Sequence, residues 1–396
     1  YPVPGTVFET YSARTAVTAG LAAHVVGSVG PVTAEELSTL GAPYQSGDTV
    51  GQTGIEQVDE RQLAGRPGGS VAVVDGSGAT MTVVARFASH PGTPVRTTID
   101  PAVQQAAETA LAGVTDPAAL VAIEPSTGDV LASASVPVTD AFDNALEGSF
   151  PPGSTFKVVT SADLVARGAT PSTAATCPAT ITVGGETFHN FEGEAIASLS
   201  LEQAFAESCN AAFIGLAANL PDASFAPTAA EFGIGVPYHL GLPAFSGSVP
   251  TPATPAARAA TAIGQAQVLV SPLAMAMVAA TVDSGSLRLP RLVVGSADDS
   301  ARARAPAPTV VNDLRTMMAA VVDSPVGTAA GAGLPAGTYG KTGTAEFGTA
   351  NPPPTHAWFI GYRGNLAFAV LVVGGGIGGK VAAPIAAAFL KALPTS

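Results

Sequence analysis

The chain contains little charge, and very little of it is positive. Of its 396 residues only 12% are charged, 17 Lys and Arg stand against 30 Asp and Glu, and the formal net charge is −13. Proteins that bind nucleic acid present basic surface to the phosphates, so this balance argues against a nucleic-acid partner. Lysine is scarce, with four residues, and each of its positions is therefore informative.

Cysteine and long apolar runs are also in short supply. The two cysteines, Cys177 and Cys209, are too few for a disulfide scaffold, and their number leaves the redox compartment open. No uninterrupted apolar stretch approaches the roughly 20 residues of a membrane-spanning helix. The sequence begins at Tyr1 without Met, so we expect that an initiator end, a signal or an anchor was cleaved or left out.

The chain is rich in apolar residues, glycine and proline. Hydrophobic residues make up 47%, with 44 Gly and 33 Pro, which is typical of a compact globular protein. The composition changes near Pro94. We therefore predict a smaller α+β domain over 1–94, truncated at its N-terminus, and a main domain over 95–396.

Local patterns predict the order of strands and helices. Apolar runs on either side of turn residues predict two hairpins, Val71–Val74 with Met81–Ala85 and Ala119–Glu124 with Val130–Ser135. Capping signals and apolar periodicity predict helices. The helices are Asp100–Gly113, Ser154–Gly168, Leu201–Ala218, Ser271–Val278 and Val381–Ala392. The late strand-like runs are His356–Gly361 and Leu366–Val373. Hairpins at both ends of the main domain, with helices between them, predict an α+β fold in which helices flank an antiparallel sheet.

Three short motifs carry the chemistry. They are Ser154–Lys157 (Ser-x-x-Lys), Ser208–Asn210 (Ser-x-Asn) and Lys341–Thr344 (Lys-Thr-Gly-Thr), and they follow one another in that order. This ordered set is typical of the catalytic motifs of serine acyl-transfer enzymes. Any one of the motifs alone is more often chance than a site, since Ser and Thr are common here. All three in order make chance a poor explanation.

Lys157 is the predicted general base for the hydroxyl of Ser154. A serine hydroxyl is a weak nucleophile until a base takes its proton, and residues three apart on a helix share one face. The Lys157 amine must be neutral for this role. Burial and a nearby cation both lower a lysine pKa, and Lys341 is the predicted cation.

Backbone amides of the first and third motifs are predicted to stabilise the oxyanion. The Ser154 amide lies at a helix start, where backbone N–H groups are free, and the Thr344 amide lies on a strand. Ser208 is the predicted proton shuttle to the leaving amine, and Asn210 is expected to hydrogen-bond the substrate backbone.

The third motif is predicted to bind the substrate carboxylate. The hydroxyls of Thr342 and Thr344 would hold it together with Lys341. Gly343 has no side chain, so a substrate could lie flat against the strand.

These residues resemble a class B penicillin-binding protein, a peptidoglycan D,D-transpeptidase. The first ninety or so residues are too few for a glycosyltransferase domain, which disfavours class A. The resemblance covers nearly the whole chain. The matching stretches are Gly51–Glu56, Leu63–Gly65, Thr98–Gln104, Ala122–Ala132, Phe150–Lys157, Ile263–Gln265, Ser271–Leu273 and His356–Gly361.

The resemblance implies a fold and a site of action. The fold is the penicillin-binding transpeptidase fold shared with serine β-lactamases: an antiparallel sheet flanked by helices, an all-helical subdomain, and a pedestal similar to a dimerisation domain. It implies an extracytoplasmic enzyme, anchored in the membrane by a segment absent here, with a role in cell shape or cell division. Ser154 would form an acyl-enzyme with the D-Ala-D-Ala end of peptidoglycan stem peptides, without a cofactor or metal. β-Lactams would acylate the same serine, and other cell-wall synthesis proteins are candidate partners.

Other functions remain open from the sequence. A D,D-carboxypeptidase or a serine β-lactamase would use the same serine and pass the acyl group to water, although no deacylating base is identifiable. A non-catalytic β-lactam sensor or scaffold is disfavoured because all three motifs are intact. Cys209 should point away from the pocket, and whether it is bonded to Cys177 stays open.

Overall fold

The chain forms two compact units in its computed structural model, one ending at Thr97 and the other beginning at Thr98. The structure describes residues 20–66, 68–140, 142–296 and 304–394. Residues 1–19 of the predicted pedestal lie outside this part. Within the described ranges no helix combines the length and the apolar character needed to cross a membrane.

The described part of the N-terminal unit is built from short elements. They are α1 (Ala23–Val26), β1 (Val29–Pro31), α2 (Ala34–Leu40), β2 (Thr49–Gly51), α3 (Gly54–Val58), α4 (Glu60–Ala64), β3 (Gly69–Val74) and β4 (Thr80–Phe87). Antiparallel pairing joins β1 to β2 and β3 to β4. The second pair is the predicted hairpin, and the Asp75 carboxylate closes its turn by accepting the amides of Ser77 and Ala79.

The C-terminal unit is organised around a five-stranded antiparallel sheet. The strands of this unit are β5 (Ala118–Glu124), β6 (Asp129–Val136), β7 (Ala174–Cys177), β8 (Thr180–Val183), β9 (Glu186–His189), β10 (Ile196–Ser200), β11 (Tyr339–Glu346), β12 (Thr355–Tyr362) and β13 (Ala367–Val372). The sheet order is β11-β12-β13-β5-β6, so β11 is an edge strand. Two small ribbons, β7 with β10 and β8 with β9, lie outside the sheet. The predicted antiparallel sheet is confirmed.

The described part of this unit also contains α-helices, some of which pack against the sheet. They are α5 (Pro101–Leu111), α6 (Lys157–Ala166), α7 (Leu201–Ala206), α8 (Asn210–Ala217), α9 (Phe225–Ala230), α10 (Pro255–Ala262), α11 (Pro272–Ser284), α12 (Pro308–Asp323) and α13 (Ala382–Ala392). Helix α11 packs against β13 and β5, while α5 and α13 contact each other and pack against β6 and β13. Helix α11 is apolar around its circumference and is buried from Pro272 to Val282, as a helix inside a core must be.

Capping residues begin and end these helices as the sequence predicts. Asp100 and Ser271 accept amides from the first turns of α5 and α11. Ser200 and Gln203 form the predicted capping box at the start of α7. Gly285 ends α11 in the left-handed conformation, at φ 70°.

Two predicted helices differ from the structure at the motifs. A 3₁₀ turn, Gly153–Phe156, precedes α6, so Ser154 lies in this turn and outside the α-helix. The continuous helix predicted over Leu201–Ala218 is wrong, because Ser208 adopts a left-handed φ of 63° that ends α7 before α8 begins.

Candidate active site

The predicted nucleophile lies in the 3₁₀ turn at the start of α6. Ser154 is half-buried there, and Lys157 is fully buried. The turn is fixed by Gly264, whose carbonyl accepts the Gly153 amide at 2.9 Å. A Cβ on Gly264, which has φ +73°, would lie 2.0 Å from the Gly153 oxygen, so this position requires glycine.

The amine of Lys157 rests on the second motif. Lys157 Nζ donates to the Ser208 carbonyl at 2.6 Å and to Asn210 Oδ1 at 2.8 Å, and lies 3.3 Å from Ser208 Oγ. Among the described residues no hydrogen bond joins it to Ser154, although residues three apart in a 3₁₀ turn are eclipsed. A neutral amine has two N–H groups, which suffice for the two carbonyl-type acceptors. Its lone pair then remains free to take a proton.

Ser208 occupies a position that normally belongs to glycine. The Cys209 amide donates to the Ala204 carbonyl and the Ser208 amide to the Phe205 carbonyl, which together form a Schellman motif with Ser208 at the left-handed position. A residue with a side chain is strained there. In this conformation Ser208 Oγ lies 2.9 Å from Lys341 Nζ and 3.3 Å from the amine of Lys157. One hydroxyl therefore contacts both amines.

Both lysine side chains are fully buried, which disfavours their charged forms, and each amine lies over an aromatic ring, which favours the charged form. The ring centroids of Phe213 and Phe205 lie 5.2 Å from Lys157 Nζ and 5.4 Å from Lys341 Nζ, respectively. Burial, and secondarily the charge of Lys341, hold the pKa of Lys157 well below its ordinary value. Burial lowers the pKa of Lys341 to about 7. Burial therefore acts on both amines, and for Lys157 the charge of Lys341 acts in the same direction.

The third motif lies on β11, and its backbone is open toward the edge of the sheet. The Phe347 amide donates to the Pro354 carbonyl at 3.0 Å, which continues the register of the β11–β12 ladder. Hydrogen-bonded and non-hydrogen-bonded pairs alternate along such a ladder, so Thr344 and Ala357 form a non-hydrogen-bonded pair. The Thr344 N–H therefore points away from β12, where an oxyanion can accept it.

The nucleophile turn packs against this edge through backbone atoms. A Cβ on Gly153 would lie 2.9 Å from the Thr344 oxygen. A Cβ on Gly343 would lie 2.9 Å from both the Pro152 oxygen and Thr155 Cγ2. The missing side chain of Gly343 therefore makes room for the nucleophile turn, and the expectation that a substrate lies flat against this strand stays a prediction. Among the described residues the Ser154 amide has no backbone acceptor outside its own turn.

The hydroxyls of the third motif already have partners within the protein. The Gly378 amide donates to Thr344 Oγ1 at 3.2 Å. Thr342 Oγ1 lies 2.6 Å from Thr328 Oγ1. Thr342 is 4% exposed, whereas Thr344 is half-buried.

The second motif is braced by a disulfide and by a buried asparagine. Cys177 and Cys209 are bonded to each other, and Cys209 is turned into the interior, as expected. Asn190 is 5% exposed; its side-chain amide donates to two loop carbonyls at 2.7 Å, and its oxygen accepts the Ala211 amide at 2.9 Å. These contacts fix the first turn of α8, which carries Asn210.

The structure brings the three predicted motifs into one cluster. Direct hydrogen bonds join Lys157, Ser208, Asn210 and Lys341. The hydroxyl of Ser154 has no hydrogen bond within the described ranges, so it is available to a substrate.

Three further residues at this cluster are not in the predicted set. They are Asn190, Gly264 and Thr328. Gly264 could have been found, since it stands in a stretch that resembles the family. Asn190 and Thr328 are isolated polar residues without a spacing pattern, and no local signal marks them.

Comparisons with known proteins agree with this geometry. Residues 118–391 match the family described as penicillin binding protein transpeptidase domain, and residues 1–97 match the penicillin-binding protein dimerisation domain. Peptidoglycan D,D-transpeptidase PbpA of Mycolicibacterium smegmatis is 34% identical over an alignment of 364 residues, gaps included, that covers 76% of this chain and 72% of that protein.

Solved structures are similar as well. The penicillin G acyl-enzyme complex of penicillin-binding protein A from M. tuberculosis is 31% identical, with a TM-score of 0.69 over 76% of this chain and 81% of that chain. A chain from a peptidoglycan synthase complex is 27% identical, with a TM-score of 0.80 over 94% of this chain and 74% of that chain. The resemblance found in the sequence is confirmed, and the chain belongs to the class B penicillin-binding proteins.

Proposed function

We propose that the chain is a peptidoglycan D,D-transpeptidase that forms its acyl-enzyme on Ser154. The observation that carries this proposal is the Ser208 hydroxyl, which contacts the amines of two buried lysines at 2.9 and 3.3 Å. One of these lysines is three residues from Ser154, and the other lies on the edge strand that faces the nucleophile turn. This arrangement supports proton transfer on both sides of the reacting bond.

Acylation begins with removal of the Ser154 proton. The neutral amine of Lys157 accepts it, and Ser154 Oγ forms a bond to the carbonyl carbon of the penultimate D-Ala. The carbonyl electron pair moves onto oxygen, which accepts hydrogen bonds from the amides of Ser154 and Thr344. When the carbonyl re-forms, the C–N bond breaks, and the leaving nitrogen takes a proton from Ser208. A lysine ammonium then returns a proton to Ser208.

The third motif holds the substrate in register. Lys341, while protonated, attracts the terminal carboxylate, and the hydroxyls of Thr342 and Thr344 donate to it. Asn210 hydrogen-bonds the substrate backbone. A β-lactam presents a carboxylate and a strained amide in a similar arrangement, so it would acylate the same serine.

Deacylation decides between transpeptidase and the hydrolytic alternatives. In a transpeptidase the amine of a neighbouring stem peptide attacks the ester carbon and releases Ser154. A carboxypeptidase or β-lactamase passes the acyl group to water. The relatives named D,D-transpeptidase support the first outcome.

The family supports a location and a set of partners. A peptidoglycan transpeptidase works outside the cytoplasm, where its substrate lies. We further propose that residues 1–94 act as a pedestal that docks other cell-wall synthesis proteins, and that the full protein is membrane-anchored. The similar chain from a peptidoglycan synthase complex supports the docking role.

The test is covalent labelling by a fluorescent penicillin. We expect stoichiometric attachment to the wild-type protein, none to Ser154→Ala, and full attachment to Ser172→Ala, which removes an exposed hydroxyl elsewhere. Peptide mapping should place the adduct on the segment with Ser154. Equal labelling of Ser154→Ala would refute the assignment.

Turnover assays separate the alternatives. Release of D-Ala from a pentapeptide that rises when an amine acceptor is added indicates transpeptidation. Release that is unaffected by the acceptor indicates a carboxypeptidase. Hydrolysis of nitrocefin over many turnovers indicates a β-lactamase.

A further inference from the structure

Thr328 lies where the segments that carry the second and third motifs come together. It belongs to the connection between α12 and β11. Its amide donates to the carbonyl of Ala206, the last residue of α7, at 3.0 Å. Its carbonyl faces the loop before α13, where a Cβ on Gly379 would lie 2.1 Å from the Thr328 oxygen. The amide and the carbonyl of Thr328 are therefore each in contact with a different segment of the protein.

The position of the Thr328 backbone is also fixed from within its own turn. The Ala329 amide donates to the Val321 carbonyl of α12 at 3.1 Å. A Cβ on Gly327 would lie 2.3 Å from that same carbonyl oxygen, so the turn packs directly on the helix end. The Thr328 side chain thus has a defined direction.

That direction brings its hydroxyl to Thr342. The two Oγ1 atoms are 2.6 Å apart, and within the described ranges neither hydroxyl has another hydrogen bond. Each hydroxyl has one proton, so only one of the two donates in this pair. If Thr342 donates, its proton is no longer available to a substrate.

Thr344 shows how the second hydroxyl of the motif is kept available. Its oxygen accepts the Gly378 amide at 3.2 Å, and an amide can only donate. The Thr344 proton is therefore left for another acceptor. The Thr342 proton is likewise left for another acceptor only if the Thr328 hydroxyl donates in the Thr328–Thr342 hydrogen bond.

We propose that Thr328 is a positioning residue of the carboxylate site. Its hydroxyl donates to Thr342 Oγ1 and leaves the Thr342 proton for the substrate carboxylate. The inference rests on the proposed function, in which Thr342, Thr344 and Lys341 bind that carboxylate. When a carboxylate arrives, both threonine protons point toward it and no hydroxyl has to reorient.

The test compares two probes on matched variants. The probes are an N-acyl-D-alanyl thioester with a thioglycolate leaving group, which has a free carboxylate, and the methyl ester of the same compound. The variants are Thr328→Val, which keeps the shape and removes the hydroxyl, Thr328→Ser, which keeps the hydroxyl, and Thr338→Val. Thr338 is the control because it is a buried threonine of the same connection whose hydroxyl donates to the Pro335 carbonyl.

We expect Thr328→Val to lower kcat/KM for the carboxylate probe by about tenfold, mainly through KM, and to change the ester probe by less than about twofold. Thr328→Ser should restore the carboxylate rate to within about threefold, and Thr338→Val should leave the ratio of the two rates unchanged. A purely structural role would slow both probes alike.

Three results would overturn the inference. The first is a Thr328→Val protein whose ratio of kcat/KM for the carboxylate probe to kcat/KM for the ester probe equals that of the wild type. The others are an equal loss of kcat/KM for both probes, and a Thr328→Ser protein that does not restore this ratio. Failure of the proposed function is recognised separately, because wild type would then process neither probe, or Ser154→Ala would process both.

Discussion

The cleft has two walls that are held by different kinds of contact. The sheet wall consists of the turn Gly153–Phe156 and β11. The backbones of these two segments pack so closely that neither Gly153 nor Gly343 has room for a Cβ. The helical wall consists of the turn Ser208–Asn210, and it is fixed by side chains: the disulfide, the Asn190 amide and the Lys157 amine.

The difference determines how each wall should respond to change. Close backbone packing admits no added atom, so a small substitution on the sheet wall displaces the nucleophile itself. A side-chain network loses one contact while the others remain, so damage to the helical wall is graded. The strained backbone at Ser208 is the exception on that wall, since it places a hydroxyl where glycine would be more stable.

The largest effect should follow from Gly264→Ala, because Gly264 packs against the nucleophile turn of the sheet wall. The added Cβ would lie 2.0 Å from the Gly153 oxygen, so the nucleophile turn must move. A displacement of about 1 Å costs on the order of 100-fold in rate, and overpacking with a strained backbone destabilises by about 3 kcal/mol. Penicillin acylation kinetics and thermal unfolding measure the two effects.

Gly337→Ala is the matched control for that variant. Gly337 has a φ of +77°, close to the +73° of Gly264, but a Cβ there would meet nothing within 4 Å. It should lose about 1 kcal/mol of stability and no acylation rate. If the two alanine variants acylate at the same rate, the sheet wall is not held as described.

The next effect separates strain from chemistry on the helical wall. Ser208→Gly relieves the left-handed strain and removes the hydroxyl that contacts both amines. We expect stability to rise by about 1 kcal/mol, while acylation falls on the order of 100-fold. Ser208→Ala should lose the same activity without the gain in stability, as measured by urea unfolding. A Ser208→Gly protein no more stable than Ser208→Ala would show that the turn is unstrained.

The sequence predicted which motifs come together better than it predicted their local geometry. Capping residues such as Asp100 and Ser271 act on their own first turn, so local patterns identify them. The break at Ser208 was missed because no glycine or proline stands at the break, and the nearest glycine, Gly215, lies inside the next helix. Thr328 was missed because its partner is 14 residues away and the bond depends on tertiary packing.

A smaller effect concerns the pH dependence of acylation, which should separate the roles of the two lysine amines. Burial lowers the pKa of Lys341 to about 7. Below that pH Lys341 is protonated and attracts the substrate carboxylate; above it the charge is lost. The second-order rate constant for benzylpenicillin should therefore fall above pH 7, at about tenfold per unit. The rising limb belongs to Lys157, whose pKa is lowered well below its ordinary value by burial and by Lys341.

The methyl ester of benzylpenicillin provides the control for this profile. It has no carboxylate for Lys341 to attract, so its slower acylation should show the rising limb and little of the descending one. A descending limb that is equally steep for both compounds would assign the loss to the proton relay through Ser208 and away from carboxylate binding.

The smallest effect on activity should come from removing the disulfide. Replacing Cys177 and Cys209 by Ser opens a link across a sequence separation of 32 residues, which costs about 3–4 kcal/mol of stability in the chain-entropy view. Acylation should fall less than about threefold, because Asn190 still holds the Ala211 amide and Lys157 still binds Asn210.

Asn190→Ala tests whether the helical wall has this redundancy. It removes the acceptor of the Ala211 amide and the donors to two loop carbonyls, and it leaves the disulfide in place. Three backbone groups lose their partner, among them the buried amide of Ala211, so the turn that carries Asn210 loosens directly. We expect the acylation rate to fall by about tenfold, which is more than in the variant with Ser at Cys177 and Cys209. The loss of stability should be smaller than in that variant. The reverse order would mean that the covalent link, and not the amide network, sets the position of the helical wall.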